Sequence, residues 1–338
     1  MTSDNTKKIG ITTTVPVEII YAAGRTPVDL NNIFVADPDA VGLVNYAEQR
    51  GFPQSACAWT KGLYGAIHRY GIKEVVGVVE GDCSNTYALC EILESEGIIV
   101  HDFGFPSSRR ADDLEVRLGR FAGELGTSLD AAEKEKKRLD EVRALAGRLY
   151  DIAAGGTVGS GDLFAGLLNV SDFFGDPDHC ARELEALIAR VEAAADSRAP
   201  EEKKIRLTCV GVPTILADLW TTFENLGARF VDHEVPRQFA LLDGIGKGLV
   251  ETYIKYTYPY DVFTRIADVK EQAGARGIVA AVHYVQSFCH RQIEDRLWRE
   301  RIGMPILTLE ADRPASIDER TRTRVEAFME TLLLRYQN

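Results

Sequence analysis

Residues 74–101 read EVVGVVEGDCSNTYALCEILESEGIIVH, and the succession of patterns in them decides the fold. Glu74 to Val79 is a short, nearly continuous apolar run rich in valine, the pattern of a strand covered on both faces. Ser84 to Glu96 has helical spacing, and Ile98 to His101 turns apolar again. Strand, helix and strand in immediate succession predict a parallel sheet, because parallel neighbours need a crossover between them. Upstream, VEIIYAAG, PDAVGLVNYAEQRG and the stretch from Trp59 to Tyr70 also have helical spacing, with stops at Gly24, Gly51 and Gly71. A first doubly wound domain is expected over 1–110.

Between Asp112 and about Arg198 the strand signal vanishes. EKEKKRLDEVRALAGRLYDIAA and ARELEALIARVEAAA carry mixed charges at helical spacing, which predicts a helical domain over 111–200 and a solvated face for the charged run. Pro200 to Lys204 reads as a linker. Past it, IRLTCVG, ARFVDHE, GIVAAVHY and MPILTLEAD supply four strand candidates separated by helical stretches, so a second doubly wound domain is expected over 201–338. The predicted fold class is α/β: two parallel-sheet domains with a helical insert. Ligands of such sheets bind beyond the carboxyl ends of the strands.

Composition narrows the function classes. The chain has 338 residues, 45% hydrophobic and 27% charged, which suits a globular protein of more than one domain. With 51 acidic against 39 basic residues its formal charge is -12, so neither nucleic acid nor an anionic membrane is an expected partner. No apolar run approaches the roughly 18 residues of a membrane span, and the polar segment Met1 to Ile9 lacks a signal core. The sequence therefore predicts a cytoplasmic protein, in which six cysteines serve burial, redox chemistry or metal ligation rather than disulfides.

Three of those cysteines share a local setting. Cys83 in VVEGDCSNT and Cys289 in HYVQSFCHRQ each follow a strand and begin a helix, and Cys57 in FPQSACAWTKG also stands at a helix start. The exposed N–H groups of a helix start favour the thiolate, the form that ligates metal. Core packing gives no reason for three thiols to recur at that junction. Cys90 sits mid-helix among apolar neighbours and reads as core; Cys180 in DPDHCAREL reads as a surface or half-buried thiol; Cys209 ends a strand and is a possible ligand. Three thiolates on one iron–sulfur cube leave one iron with an exchangeable position.

At these residues the sequence resembles the 2-hydroxyacyl-CoA dehydratase and benzoyl-CoA reductase family, including its double-cubane cluster branch. The marks are VPVEIIYAAGRTPVDLNN, CAWTKGLYG at Cys57, EGDCSNT at Cys83, YTYPYDVF from Tyr256, HYVQSFCHRQIED at Cys289 and LTLEADRP, spread over almost the whole chain. The resemblance implies two Rossmann-like domains plus a helical domain, and a [4Fe-4S] cluster held by Cys57, Cys83 and Cys289 between them. It also implies an ATP-hydrolysing activator as electron donor and a second subunit, giving a homodimer or a pair of related chains. In the dehydratases, the donated electron reduces an acyl-CoA thioester to a ketyl radical anion, which permits loss of the 2-hydroxyl. The double-cubane branch, with an [8Fe-9S] cluster, implies a reductase of small unsaturated molecules, and the YTYPYD and HYVQSFC wording is closer to it.

Around the cysteines, His283, Glu80 and Arg291 are candidate catalytic groups for proton transfer or anion holding. Arg25, Lys61 and Arg237 could hold an anion, although surface solvation is the simpler expectation for each. The glycine run from Ala153 lacks the lysine of a phosphate loop and reads as a plain loop, so ATP hydrolysis is expected in a partner. The rival class is a non-catalytic electron carrier or ligand-binding protein, which would be iron-free if it only binds a ligand.

Overall fold

The computed structural model describes residues 7–196 and 204–336. In chain order the first half comprises β1 (Lys8–Ile11), α1 (Val17–Ala22), β2 (Thr26–Asp29), α2 (Leu30–Ala36), α3 (Ala40–Gln49), α4 (Ala58–Arg69), β3 (Glu74–Glu80), α5 (Ser84–Ser95) and β4 (Ile99–Gly104). Helices α6 (Ala111–Glu124), α7 (Leu129–Ala153), α8 (Ser160–Leu168) and α9 (Pro177–Asp196) follow. The remainder is β5 (Ile205–Gly211), α10 (Leu219–Asn225), β6 (Ala228–His233), α11 (Glu234–Phe239), α12 (Leu249–Lys255), α13 (Val262–Arg276), β7 (Ala280–Val285), α14 (His290–Arg301), β8 (Ile306–Glu310) and α15 (Glu319–Tyr336). Most of the expected linker, Pro200 to Lys203, lies outside the described residues. Among the described residues no helix is long and apolar enough to cross a membrane.

Two compact units result. The first is Met1–Ala144 with Asn169–Cys180 and Gln238–Asp261; the second is Leu145–Leu168 with Ala181–Arg237 and Val262–Asn338. Each holds one four-stranded parallel sheet, ordered β2-β1-β3-β4 in the first and β6-β5-β7-β8 in the second. The architecture is α/β with two Rossmann-like sheets. In each, the chain leaves the first strand to one side and later returns to the other, so the order reverses between β1 and β3 and between β5 and β7. The carboxyl ends of those strands flank a topological switch point, where such sheets bind ligands.

The strands form where apolar runs are covered on both faces. Val75, Val76 and Val78 of β3 are fully buried. Val75 packs in a core with Leu63, Tyr64 and Ile67 of α4 and Leu89 and Leu93 of α5. Cys90 is core, as its spacing predicts: an added Cβ on Gly77 of β3 would lie 2.2 Å from its Sγ. In the second unit, Val210, Ile266, Val269, Trp298 and Ile302 form a comparable cluster. Strand β2, TPVD, has no apolar pattern and was not expected. It forms because it is an edge strand, where Pro27 need not donate inward.

Two expectations for the helical stretch need correction. The charged run of α7 is not wholly solvated: Lys136 and Arg143 are buried. Lys136 donates to Asp140 and to the Gly244 carbonyl, while Arg143 pairs with the buried Glu18 at 2.7 Å. Cys180 is likewise buried rather than on the surface.

Candidate functional site

In the first unit Cys83 is the N-cap of α5, with φ -85° and ψ 164°, three residues beyond β3. Its thiol is partly exposed and lies 3.9 Å from the Thr86 hydroxyl, whereas Cys90 is buried in the helix–sheet core. Cys57 is the N-cap of α4, with φ -50° and ψ 131°, and is also partly exposed. The loop that carries it is pinned by Lys61, whose buried ammonium donates to Glu48 and to the Gln54 carbonyl, both at 2.8 Å. Lys61 is therefore a structural cation, not the solvated one expected of its charge.

In the second unit Cys289 repeats the arrangement of Cys83 as the partly exposed N-cap of α14, with φ -77° and ψ 134°. The residue before it, Phe288, is 80% exposed and left-handed at φ +61°, a costly conformation for a bulky residue that fixes the turn into the helix. Cys209 lies inside β5, buried, where burial and then Glu234 and Asp232 push its thiol pKa up. Among the described residues no three His, Cys, Asp or Glu side chains are gathered to hold a single metal ion.

At Cys83 and Cys289 the helix start alone does not make the thiol acidic. Burial pushes the pKa of Cys83 up, aided by Asp82, against the backbone donors of Thr86 and Asn85. Burial does the same at Cys289, against the Arg291 backbone and guanidinium. The expectation of a thiolate is corrected in this respect, since desolvation outweighs the helix start. Such thiols fit a metal cluster well. They are accessible, have helix-start amides beside them, and lose their proton when a cation arrives to balance the charge.

His283 of β7 is fully buried. Its Nδ1 lies 2.7 Å from Asp295 Oδ1, which also accepts from the Thr308 hydroxyl at 2.5 Å. Burial opposes ionisation of Asp295, yet the hydrogen bonds from His283, Thr308 and Arg299 hold its carboxyl well below the usual range. An ionised Asp295 assigns the Nδ1 proton and leaves Nε2 as the acceptor. That Nε2 is buried with no hydrogen-bond partner among the described residues. It faces Gly211, where an added Cβ would sit 3.1 Å from it and 2.2 Å from the Tyr284 carbonyl.

The same end of β5 is clamped by charge. Arg265, on α13, meets Glu234 at 2.5 and 2.8 Å and donates to the Gly211 carbonyl at 3.0 Å, while the Gly211 N–H donates to Glu234 at 3.2 Å. Sequence reading missed this pair and Asp295. Arg291 and Arg237, expected to be solvated if not functional, are buried. Arg291 lies 3.4 Å from Glu294, and Arg237 pairs with Asp232 and Asp268. Arg25 pairs with Glu74. Glu80 accepts from the Ser107 N–H and from Arg117, so its carboxylate braces the loop after β4.

A family model described as 2-hydroxyglutaryl-CoA dehydratase, D-component, matches residues 12–332. No curated protein matches the chain.

Proposed function

The chain belongs to the 2-hydroxyglutaryl-CoA dehydratase D-component family, and from that premise we propose that it is the iron–sulfur component of a 2-hydroxyacyl-CoA dehydratase. Cys57, Cys83 and Cys289 are its cluster ligands, most simply of one [4Fe-4S] cube. The observation that carries this reading is the repeated placement of a partly exposed thiol at a helix start, twice directly beyond the switch-point strand. When bound, such a cluster supplies low-potential electron transfer and an open iron position.

The chain's own groups supply proton handling and order. His283 has the tautomer and the unsatisfied Nε2 expected of a group that takes a proton and returns it. Arg291 is the candidate for holding negative charge near Cys289, whose thiol it already eases toward ionisation. Glu80 is the weaker proton-transfer candidate because Ser107 and Arg117 occupy its carboxylate. The electron donor in this reading is an ATP-hydrolysing activator, and the working assembly includes a second copy or a related subunit in the cytoplasm.

Anaerobically purified protein, mixed with an activator of this family, ATP and a strong reductant, is expected to dehydrate a 2-hydroxyacyl-CoA. Turnover should require all three thiols. Activator-dependent reduction of small unsaturated molecules, with about eight irons per chain, would instead mark the double-cubane type. Burial of Cys90 and Cys180 in the first unit speaks against a second set of ligands from one chain. A colourless, iron-free protein would reduce the chain to a binding module.

A further inference from the structure

The stretch LTLEADRP, residues 307–314, closes β8, and its two carboxylates reach the turn before Cys289. Asp312 accepts from the Ser287 N–H at 2.7 Å and lies 2.7 Å from the Ser287 hydroxyl, which is also 2.9 Å from Glu310. Glu310 accepts in addition from the side-chain amide of Gln292. The two carboxylates therefore hold the chain on both sides of Cys289. Within that span the Cys289 N–H donates to the Gln286 carbonyl at 3.2 Å, and the Cys289 carbonyl accepts from the Gln292 N–H at 2.9 Å. Asp312 is fixed in turn through its neighbour: the Ala311 N–H donates to the Val285 carbonyl at 3.3 Å, and the Ala311 carbonyl accepts from the Tyr284 hydroxyl at 3.1 Å.

Between Ser287 and Cys289 stands Phe288, left-handed at φ +61° with its ring largely in solvent. That conformation is unfavourable for a bulky residue, and an exposed ring offers little packing to offset it. The turn before Cys83 meets the same demand differently: its left-handed residue is Gly81, at φ +95°, which takes that conformation readily. In the second unit the support comes from outside the turn, through contacts with the carboxylates of Asp312 and Glu310. Without them Phe288 would relax toward negative φ, and the direction in which the chain enters α14 would change with it. Cys289, the N-cap of that helix, is the first side chain that such a change moves.

Resting on the reading of Cys289 as a cluster ligand, we infer that Asp312, together with Glu310, is a positioning residue that holds the Phe288 turn left-handed and so presets the Cys289 thiol for the cluster. Groups that orient a metal ligand from outside the coordination sphere typically change metal affinity about tenfold or more when they are removed.

The test is the rate at which the full chain, purified anaerobically with its iron, gives that iron up to a chelator; it needs no turnover. Asp312→Ala is expected to lose iron about tenfold faster than the native protein. Adding Phe288→Gly should return the rate toward the native one, because glycine takes a positive φ without support. Asp312→Asn should stay near the native rate, since its Oδ1 accepts the Ser287 N–H and its NH2 group donates to the Ser287 hydroxyl. If Asp312→Ala fails to fold, Ser287→Ala, which takes the hydroxyl from both carboxylates, carries the same comparison. A native rate in Asp312→Ala, a fast rate that Phe288→Gly leaves unchanged, or a fast rate in Asp312→Asn overturns the inference and leaves the ligand assignment standing. Native protein without iron overturns both.

Discussion

At the carboxyl end of β1 stand Thr13 and Thr14, uncharged hydroxyls beside the phenol of Tyr256. At the corresponding end of β5 stands Gly211, clamped by the Arg265–Glu234 pair and faced by the imidazole of His283. Strand order, parallel pairing and the thiol one turn further on are the same in both units. The side chains around the two switch points are opposite in kind. One sheet end carries neutral hydroxyls, and the other holds charges and an imidazole ring. Parallel topology fixes where a ligand is met, and the loop residues fix what is done to it.

That contrast can be broken at the charges first. Arg265→Met leaves the buried Glu234 carboxyl without its partner, which should cost about 3–5 kcal/mol of second-unit stability by denaturant unfolding. Tyr256→Phe at the equivalent place in the first unit removes only one neutral hydroxyl and should cost about 1 kcal/mol. Equal losses would mean that the two ends are built alike.

The next effect is steric. Gly211 has φ +109° and a Cβ there would strike backbone; Gly81 has φ +95°, but its nearest obstacle is a proline side chain. Gly211→Ala should therefore lose about 3 kcal/mol or more, and Gly81→Ala about half of that. A reversed order in their melting temperatures would contradict the close approach at β5.

Smaller differences lie in the response to pH. In the first unit the Asp172 carboxyl accepts from the Asp29 N–H at 2.6 Å and the Phe174 N–H at 3.0 Å, close to the Asp29 carboxylate. Burial and then Asp29 raise its pKa to about 7. A raised acid binds its proton more tightly when folded, so its contribution is complete below about pH 4 and is lost as pH climbs to about 7. In the second unit burial pulls His233 down to about 4. Its contribution is complete above its unfolded pKa near 6.5 and is lost as pH falls toward 4. Hydrogen exchange, corrected for intrinsic rate, should show the first unit loosening by about 1–2 kcal/mol toward neutral pH and the second toward acid pH. Asp172→Asn should flatten only the first response.

Much of the fold was readable in sequence because most of the described strands are apolar runs closed by turn residues, as IRLTCVG and ARFVDHE show. β2 was invisible because an edge strand needs no apolar run. The three thiols were readable because strand, glycine or turn, and helix announce a helix start locally. Their protonation was not, since it depends on the burial that tertiary packing imposes. The charged clamps escaped for a related reason: Arg265 and Glu234 are 31 residues apart, and Arg143 reaches back to Glu18. A lone arginine on a helix reads as solvated until its distant carboxylate is seen. The hydroxyls at Thr13, Thr14 and Tyr256 gave no periodic signal at all.

Iron and acid-labile sulfide, measured per chain on anaerobically purified protein, test the ligand assignment most directly. About four irons per native chain, falling toward zero in each of Cys57→Ala, Cys83→Ala and Cys289→Ala and retained in Cys90→Ala, is the expected result. Full iron in any of those three variants, or none in the native protein, would contradict it.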